Sequence, residues 1–299
     1  MSGKKVGFVS FFGRPNVGKS TLLNQILGLK VSITSPRAQT TRNQINGIYN
    51  DEDSQIVFVD TPGVHKPLHQ LGDRLNRDAY SGLITGDVIL FVVDVTASYG
   101  RGDDYVLDKL KNVSEGIPVF LILNKVDLIN RAQLAPILVE WSNRYNFDEI
   151  FPVSAKDGIN VKQLISSIKK YLHEGPMYYQ EDEYTNVSER FMVAETIREK
   201  VLRLTLEEVP HSVAVLVEKM EFSKGHCDVD ATIIVDKDTQ KGIIIGRRGT
   251  MLTKIGTYAR EDIEKLLNVK VTLNLFVRVE EGWRNKNKYL TEFGYGDKK

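Results

Sequence analysis

The sequence predicts two domains in tandem: a doubly wound α/β domain with a mixed, mostly parallel sheet, then a smaller α+β domain. Three observations predict it. Near-continuous Val/Ile/Leu/Phe runs alternate with amphipathic segments as far as Leu172. A glycine-rich loop joins the first run directly to the first amphipathic segment. The pattern then changes character after Leu172. Strands that are apolar on both faces need helices on both faces to cover them.

Apolar runs at Val6–Phe12, Ile56–Val59, Val88–Val95, Ile117–Leu123 and Ile150–Val153 read as buried strands. The segments Lys19–Leu29, Arg74–Ile84, Asp104–Val113, Ala132–Tyr145 and Val161–Leu172 read as helices between them. Residues 174–187 carry Gly175, Pro176, three tyrosines and several acids without any period. They read as a linker between a domain at 1–173 and one at 188–299. Asn186 with Glu189 reads as a capping box opening a helix that runs to about Leu206. Strands at Ser212–Glu221 and His226–Val235 follow, the second alternating Val229, Ala231, Ile233 and Val235 against Asp228, Asp230 and Thr232. A short helical stretch meets Gly246, and a further helix places Leu252, Ile255, Ala259, Ile263 and Leu266 on one side. A last strand alternates Val271, Leu273, Leu275, Val277 and Val279 with polar neighbours, completing an α-β-β-α-α-β order with no internal repeat.

The chain has 299 residues, of which 41% are hydrophobic and 26% charged, a globular and not a disordered balance. Forty basic residues against 39 acidic ones leave a net charge of +1, so any basic surface for a polyanion must be local. The single cysteine, Cys227, excludes an internal disulfide, suits a reducing compartment and reads as a small strand residue. Met1–Gly13 runs into the glycine-rich loop without a small-residue cleavage site, which reads as a first strand and not a signal peptide. Apolar stretches such as Val88–Val93 and Val119–Leu123 are too short to span a bilayer. The expectation is a cytoplasmic protein, and nothing predicts an oligomer.

Gly13-Arg14-Pro15-Asn16-Val17-Gly18-Lys19-Ser20 fits the spacing of a phosphate-binding loop, with a strand before it and a helix after it. Its backbone N–H groups and the helix N-terminus suit phosphate oxygens. Candidate contacts are Gly13, Asn16, Val17, Gly18, Lys19, Ser20 and Thr21. Lys19 is expected to neutralise the β- and γ-phosphates, and Ser20 to ligate Mg²⁺. The base is selected elsewhere. Asn124-Lys125-Val126-Asp127 lies at the end of a strand, where open α/β sheets bind ligands. A carboxylate at Asp127 accepts from the ring N–H and the exocyclic amine of guanine, whereas adenine would leave it buried and unpaired. Ser154-Ala155-Lys156 closes the next strand, where a backbone amide can reach the guanine carbonyl. GTP and GDP are therefore the expected ligands, and an ATP-using enzyme is the rival reading.

Asp60-Thr61-Pro62-Gly63 closes the strand at Ile56–Val59. Asp60 is expected to hold Mg²⁺ through a water, and the Gly63 amide to contact the γ-phosphate. Thr40-Thr41-Arg42 lies in a polar stretch suited to a switch, with Thr41 the preferred Mg²⁺ ligand and Thr40 the alternative. Lys19, Thr41 and Gly63 are the catalytic candidates. Two other groupings weigh less. His65 and His69 flank Pro67 with no third ligand evident. Glu207 and Glu208 are adjacent on a helix end, where side chains diverge.

In the C-terminal part, Gly246-Arg247-Arg248-Gly249 forms a G-x-x-G turn between two helical stretches. Such a turn lets backbone approach a nucleic-acid strand while Arg247 and Arg248 meet phosphates. Lys241 and Lys254 are further RNA candidates, with Lys237 and Arg260 also in a locally basic region. The bland alternative is a plain helix-to-helix turn.

The GTPase motifs together resemble translation-factor-like GTPases. Val64 stands where Ras-like proteins carry a water-positioning glutamine, the mark of members with an apolar substitution, which implies slow intrinsic hydrolysis. That resemblance also implies K⁺ binding by Asn16, against the equal alternative that Asn16 shapes the loop. With the α-β-β-α-α-β order of a type II KH domain behind one phosphate loop, nearly the whole chain resembles the Era family of bacterial GTPases. The motifs that carry the likeness are G-R-P-N-V-G-K-S, Q-T-T-R, D-T-P-G, N-K-V-D, S-A-K and Gly242–Gly249. Phe11-Phe12 before the loop depart from the smaller residues frequent there. The resemblance implies single-stranded RNA binding near the 3′ end of 16S rRNA, assistance to small ribosomal subunit maturation, and peripheral contact with the cell membrane. The rival is a signalling GTPase whose C-terminal domain binds protein or membrane.

Overall fold

The computed structural model describes residues 3–37, 39–67, 69–84, 86–206 and 209–295. Residue contacts divide the chain into two units. The first comprises residues 1–32, 41–67 and 74–186, and the second residues 33–40, 68–73 and 187–299.

The first unit is built on a sheet of seven strands: β1 (Lys4–Phe12), β2 (Ile45–Asn50), β3 (Ser54–Asp60), β4 (Val88–Asp94), β5 (Val119–Asn124), β6 (Glu149–Val153) and β7 (His173–Gly175). Their order is β2-β3-β1-β4-β5-β6, with β7 added antiparallel to β1. All other pairings are parallel except β2 on β3. Helices α1 (Lys19–Leu27), α2 (Gln70–Ile84, of this unit from Arg74 onward), α3 (Arg101–Val113), α4 (Arg131–Ser142) and α5 (Val161–Tyr171) follow β1, β3, β4, β5 and β6 in turn.

Two apolar clusters lie on the two faces. One joins Val9, Phe11, Phe58, Leu90, Phe120 and Ile122 to Leu22 and Leu23 of α1 and Leu164 and Ile168 of α5. The other joins Phe12, Ile89, Phe91, Leu121 and Leu123 to Ala79 and Leu83 of α2, Val106 and Leu110 of α3, and Trp141 of α4. The doubly wound class is thus as expected, and its sheet is mixed. Phe11 and Phe12 point to opposite faces. Phe11 stacks on Phe58 at 5.7 Å and Phe12 leans on Phe91 at 6.3 Å, and both are fully buried. Burial contributes about 2–3 kcal/mol for each ring.

Residues 176–186 run along the open side of β2. The Ile48 N–H donates to the Tyr184 carbonyl (3.0 Å), the Asn46 N–H to Asn186 Oδ1 (3.0 Å), and Asn50 Nδ2 to the Glu181 carbonyl (3.2 Å). Gln55, buried in β3, accepts from the N–H groups of Tyr178 (2.7 Å) and Tyr179 (3.0 Å) and donates to the Tyr179 carbonyl (2.9 Å).

The second unit contains α6 (Glu189–Leu204), β8 (Ala214–Ser223), β9 (His226–Val235), α7 (Asp238–Ile245), α8 (Thr250–Leu267), β10 (Lys270–Val279) and α9 (Asn287–Glu292). The sheet order is β10-β9-β8, with β8 antiparallel and β10 parallel to β9. Val229, Ala231, Ile233 and Val235 face Val193, Ile197 and Val201 of α6 and Ile255, Ala259 and Ile263 of α8 in one core. The expected capping box is corrected. Ser188, and not Asn186, caps α6, accepting from the Phe191 N–H (3.2 Å), because Asn186 is engaged by Asn46. Residues 33–40 belong to this unit by their own bonds. Glu199 accepts from the Thr34 N–H (3.0 Å), and the buried Arg198 donates to the Thr40 carbonyl while paired with Glu195.

Candidate functional site

The loop Gly13–Ser20 leaves the buried end of β1 and turns directly into α1. Gly18 sits at φ +102°, and a Cβ there would stand 2.1 Å from Asn124 Nδ2, so only glycine fits. Gly18 is also the N-cap of α1, with no capping side chain and no acid in the first turn. By contrast α4 is closed by a reciprocal box between Asn130 and Gln133. An unclosed N-terminus offers amide N–H groups and the positive end of the helix dipole to an anion. Lys19 is only 6% exposed, and its ammonium rests on the carbonyls of Gly13 (3.2 Å) and Arg14 (2.9 Å). Asn16 is exposed at φ +65°, a left-handed conformation that asparagine tolerates.

At the end of β5, Asn124 donates through Nδ2 to the Val17 carbonyl (2.7 Å) and accepts at Oδ1 from the Ala155 N–H (3.0 Å). One side chain ties the phosphate loop to the Ser154–Lys156 loop. Because the Ala155 amide is engaged, the next donor of that loop is the Lys156 N–H, which has no partner among the described residues. Lys125 pairs with Asp94. Burial opposes ionisation of Asp94, but hydrogen bonds from Lys125 and Thr96 outweigh it and hold the carboxyl below its usual range. Asp127 sits half-buried in the turn Val126–Leu128 and makes no hydrogen bond or ion pair with any described residue.

On the other side of the loop, Ser20 Oγ lies 2.7 Å from Thr41 Oγ1 and donates to Asp60 Oδ2 at 2.6 Å. Thr40 turns elsewhere, its hydroxyl donating to the Arg37 carbonyl at 2.6 Å. Asp60 is fully buried. Burial raises its pKa, against the opposing pull of the Ser20 hydrogen bond and the Lys19 charge. Gly63 packs on the phosphate loop so closely that a Cβ would fall 2.6 Å from the Pro15 backbone, and the Val64 N–H donates to the Gly13 carbonyl (3.2 Å). The Val64 side chain is buried with Phe12, Ala79 and Leu83. His65 Nδ1 lies 3.2 Å from the Gly63 carbonyl, and His69 Nδ1 accepts from the Gly72 N–H (3.1 Å). Among the described residues no group of three or more His, Cys, Asp or Glu is placed to hold a metal ion. Glu207 and Glu208 lie outside the described residues.

In the second unit, α7 ends at Gly246, whose φ is +71°, and a Cβ there would press on Met251 at 2.7 Å. Arg248 follows at φ +54°, and Gly249 caps α8 without a side-chain bond. Arg247 and Arg248 are both exposed, and neither pairs with a described acid. Lys254, also exposed, stands 5.9 Å over the Tyr258 ring, while Lys241 is half-buried on α7. Arg260 is instead paired with Glu264 at 3.0 Å. Ile243 and Tyr258 stand exposed on the helices flanking the turn, an apolar element that the basic residues alone did not signal.

A family model described as a 50S ribosome-binding GTPase matches residues 8–125, and one described as a KH domain matches residues 208–284. The crystal structure of an Aquifex aeolicus Era variant bound to GDP and AlF₄⁻ is 39% identical. The match covers 98% of this chain and 99% of that one, with a TM-score of 0.93. An Era structure in complex with MgGDPNP and nucleotides 1506–1542 of 16S ribosomal RNA gives the same four figures. The chain belongs to the Era family. As in Era, the first unit is a GTPase domain with a mostly parallel sheet and the second carries a KH domain. Among the described residues no helix is long and apolar enough to cross a membrane.

For this Era-family site, the buried Lys19 would set a pH limit on binding if it is the phosphate contact. Burial lowers its pKa from 10.5 to about 8, with the Asp60 charge opposing. In the reading proposed below, where Lys19 meets the triphosphate, the amine would arrive already charged below pH 8. Above it, binding must take up a proton, so affinity falls as pH rises, by up to about tenfold per unit. Calorimetry in two buffers of different ionisation enthalpy should show proton uptake at pH 9 and almost none at pH 7.

Proposed function

We propose that this chain is a GTP-hydrolysing switch protein that binds single-stranded RNA near the 3′ end of 16S rRNA and assists small ribosomal subunit maturation. The observation that carries the nucleotide half is the meeting of Ser20, Thr41 and Asp60 beside the buried Lys19. In this reading the amides of Gly13–Thr21 hold the phosphates, Lys19 leaves its carbonyls for the β- and γ-oxygens, and the Gly63 amide meets the γ-phosphate. Asp127 and the Ser154–Lys156 loop take the guanine.

Mg²⁺ fits the donors. Asp60 Oδ1 is buried and accepts no hydrogen bond, and two hydroxyls with one carboxylate suit a hard cation that keeps its water. When bound, Mg²⁺ supplies charge that stabilises the phosphate oxygens in the transition state. Ser20 and Thr41 would hold it directly, and Asp60 through a water. Hydrolysis adds a water oxygen to the γ-phosphorus and breaks its bond to the β,γ-bridging oxygen, leaving GDP and phosphate. Val64 is folded into the core, so the side chain after Gly63 orients no water, which supports a slow intrinsic rate. The left-handed Asn16 supports its loop-shaping role, and K⁺ remains the family's alternative.

The working parts are residues 1–173 for GTP, 174–187 as connector and 188–299 for RNA. Arg247 and Arg248, on a turn held by Gly246 and Gly249, are the proposed phosphate contacts, with Lys241 and Lys254 beside them. Residues 33–40 bond to α6 and run directly into Thr41, which supports a nucleotide-dependent RNA affinity. The test is binding to a single-stranded 3′-terminal 16S segment with a non-hydrolysable GTP analogue and with GDP. Tighter binding with the analogue is expected. Equal binding would break the coupling, and no binding in either state would favour a protein-binding second unit.

A further inference from the structure

We propose that Ser32, held by Asn24, is a positioning residue of the metal side of the nucleotide site. The inference rests on the reading of Asp60 given above and adds the group that fixes its carboxylate.

Asp60 Oδ2 receives two hydrogen bonds, from Ser20 Oγ at 2.6 Å and from Ser32 Oγ at 2.9 Å, while Oδ1 receives none. A fully buried carboxylate needs donors, and one neutral hydroxyl is thin support for it. Ser20 is also the more contested donor. It has a single hydroxyl proton, its oxygen lies 2.7 Å from Thr41 Oγ1, and in the reading above it turns a lone pair to the cation. Ser32 has no such second duty. It is 1% exposed, and Asp60 is the partner of its hydroxyl.

The position of Ser32 is itself built. Asn24 Oδ1 accepts from the N–H groups of Val31 (3.0 Å) and Ser32 (3.0 Å), and Asn24 Nδ2 donates to the Ser32 carbonyl (2.7 Å). Asn24 lies one turn beyond Ser20 on α1, so a single rigid helix carries both the metal-side hydroxyl and the clamp on the loop that reaches Asp60. With Oδ2 fixed from two directions, the free lone pairs of Oδ1 keep one orientation. Outer hydrogen bonds of this kind are worth 10–100-fold in metal affinity.

The experiment is an Mg²⁺ titration of the full chain bound to fluorescent GDP, reading the Mg²⁺ concentration at half-effect. A parallel measurement takes GDP affinity in EDTA. Ser32→Ala is expected to raise the Mg²⁺ midpoint about tenfold, to leave GDP affinity in EDTA within about twofold, and to be rescued by Ser32→Thr. Asn24→Ser should move the midpoint the same way and serves if Ser32→Ala does not fold. An unchanged midpoint in Ser32→Ala overturns the proposal. So does a fall in EDTA affinity that matches the loss in Mg²⁺, since that marks a general loop defect. Asp60→Asn is run alongside: a midpoint unmoved there sinks the metal reading itself, whereas a shift in Asp60→Asn with none in Ser32→Ala sinks the role of Ser32 alone.

Discussion

Replacing Asp127 with asparagine is expected to weaken GTP binding by about 100-fold or more while tightening xanthosine triphosphate. Two hydrogen bonds from guanine to a carboxylate contribute about 1.5–3 kcal/mol each, and asparagine has one acceptor oxygen and a donor where guanine also donates. Xanthine replaces the exocyclic amine with a carbonyl, which the asparagine amide can meet. The geometry isolates the effect. Asp127 makes no hydrogen bond or ion pair with any described residue, so its replacement leaves the Asn124 ties to Val17 and Ala155 in place. Competition between GTP, ATP and xanthosine triphosphate on the purified variant would check it. Equal loss of all three would mean that the loop had collapsed, and unchanged GTP affinity would revive the ATP-using rival.

The second large effect is expected for the double substitution Arg247→Glu and Arg248→Glu. Each arginine stands exposed on a turn whose backbone is set by Gly246 and Gly249, without a described acid to hold it back. Loss of two charge-assisted phosphate contacts should lower RNA affinity by about 100-fold, and repulsion adds to this. The salt dependence of the remaining binding should flatten by about one to two in slope. GTP hydrolysis without RNA should be unchanged. RNA affinity that survives both reversals would move the second unit to the protein- or membrane-binding rival.

What the sequence made legible were positions where one residue type has one physical reason to be there. The glycines at 13, 18, 246 and 249, all at positive φ, belong to this kind, as do the buried lysine at 19 and carboxylate at 60. Strand interiors were equally plain, because Val88–Val93 or Val119–Leu123 has only one use in a two-faced sheet. What stayed hidden depended on partners far away in the chain. β2 is short, half-buried and broken by Asn46, Gly47 and Asn50, and only its pairing with β3 identifies it. Gln55 stands just outside the apolar run Ile56–Val59, and its partners lie 123 and 124 residues later. Asn186 looked like a helix cap, but Asn46 claims its oxygen from 140 residues away. Ser32 and Asn24 form no recognisable motif, since their role appears only when the loop folds back on Asp60. Of the two adjacent threonines, Thr41 preferred and Thr40 the alternative, the structure turns Thr40 to Arg37 and Thr41 to Ser20.

The covering of β2 by residues 176–186 bears on how the chain is made. β2 is a border strand with peptide groups that seek a neighbour, and bare borders of this kind recruit other chains. During synthesis its hydrogen-bonding side is complete long before the piece that occupies it, because Asn186 is added 140 residues after Asn46. For that interval the newborn protein carries an open seam. A stall or truncation between β6 and residue 176 would leave the seam open permanently, and a short peptide copying residues 176–186 is the natural patch for it.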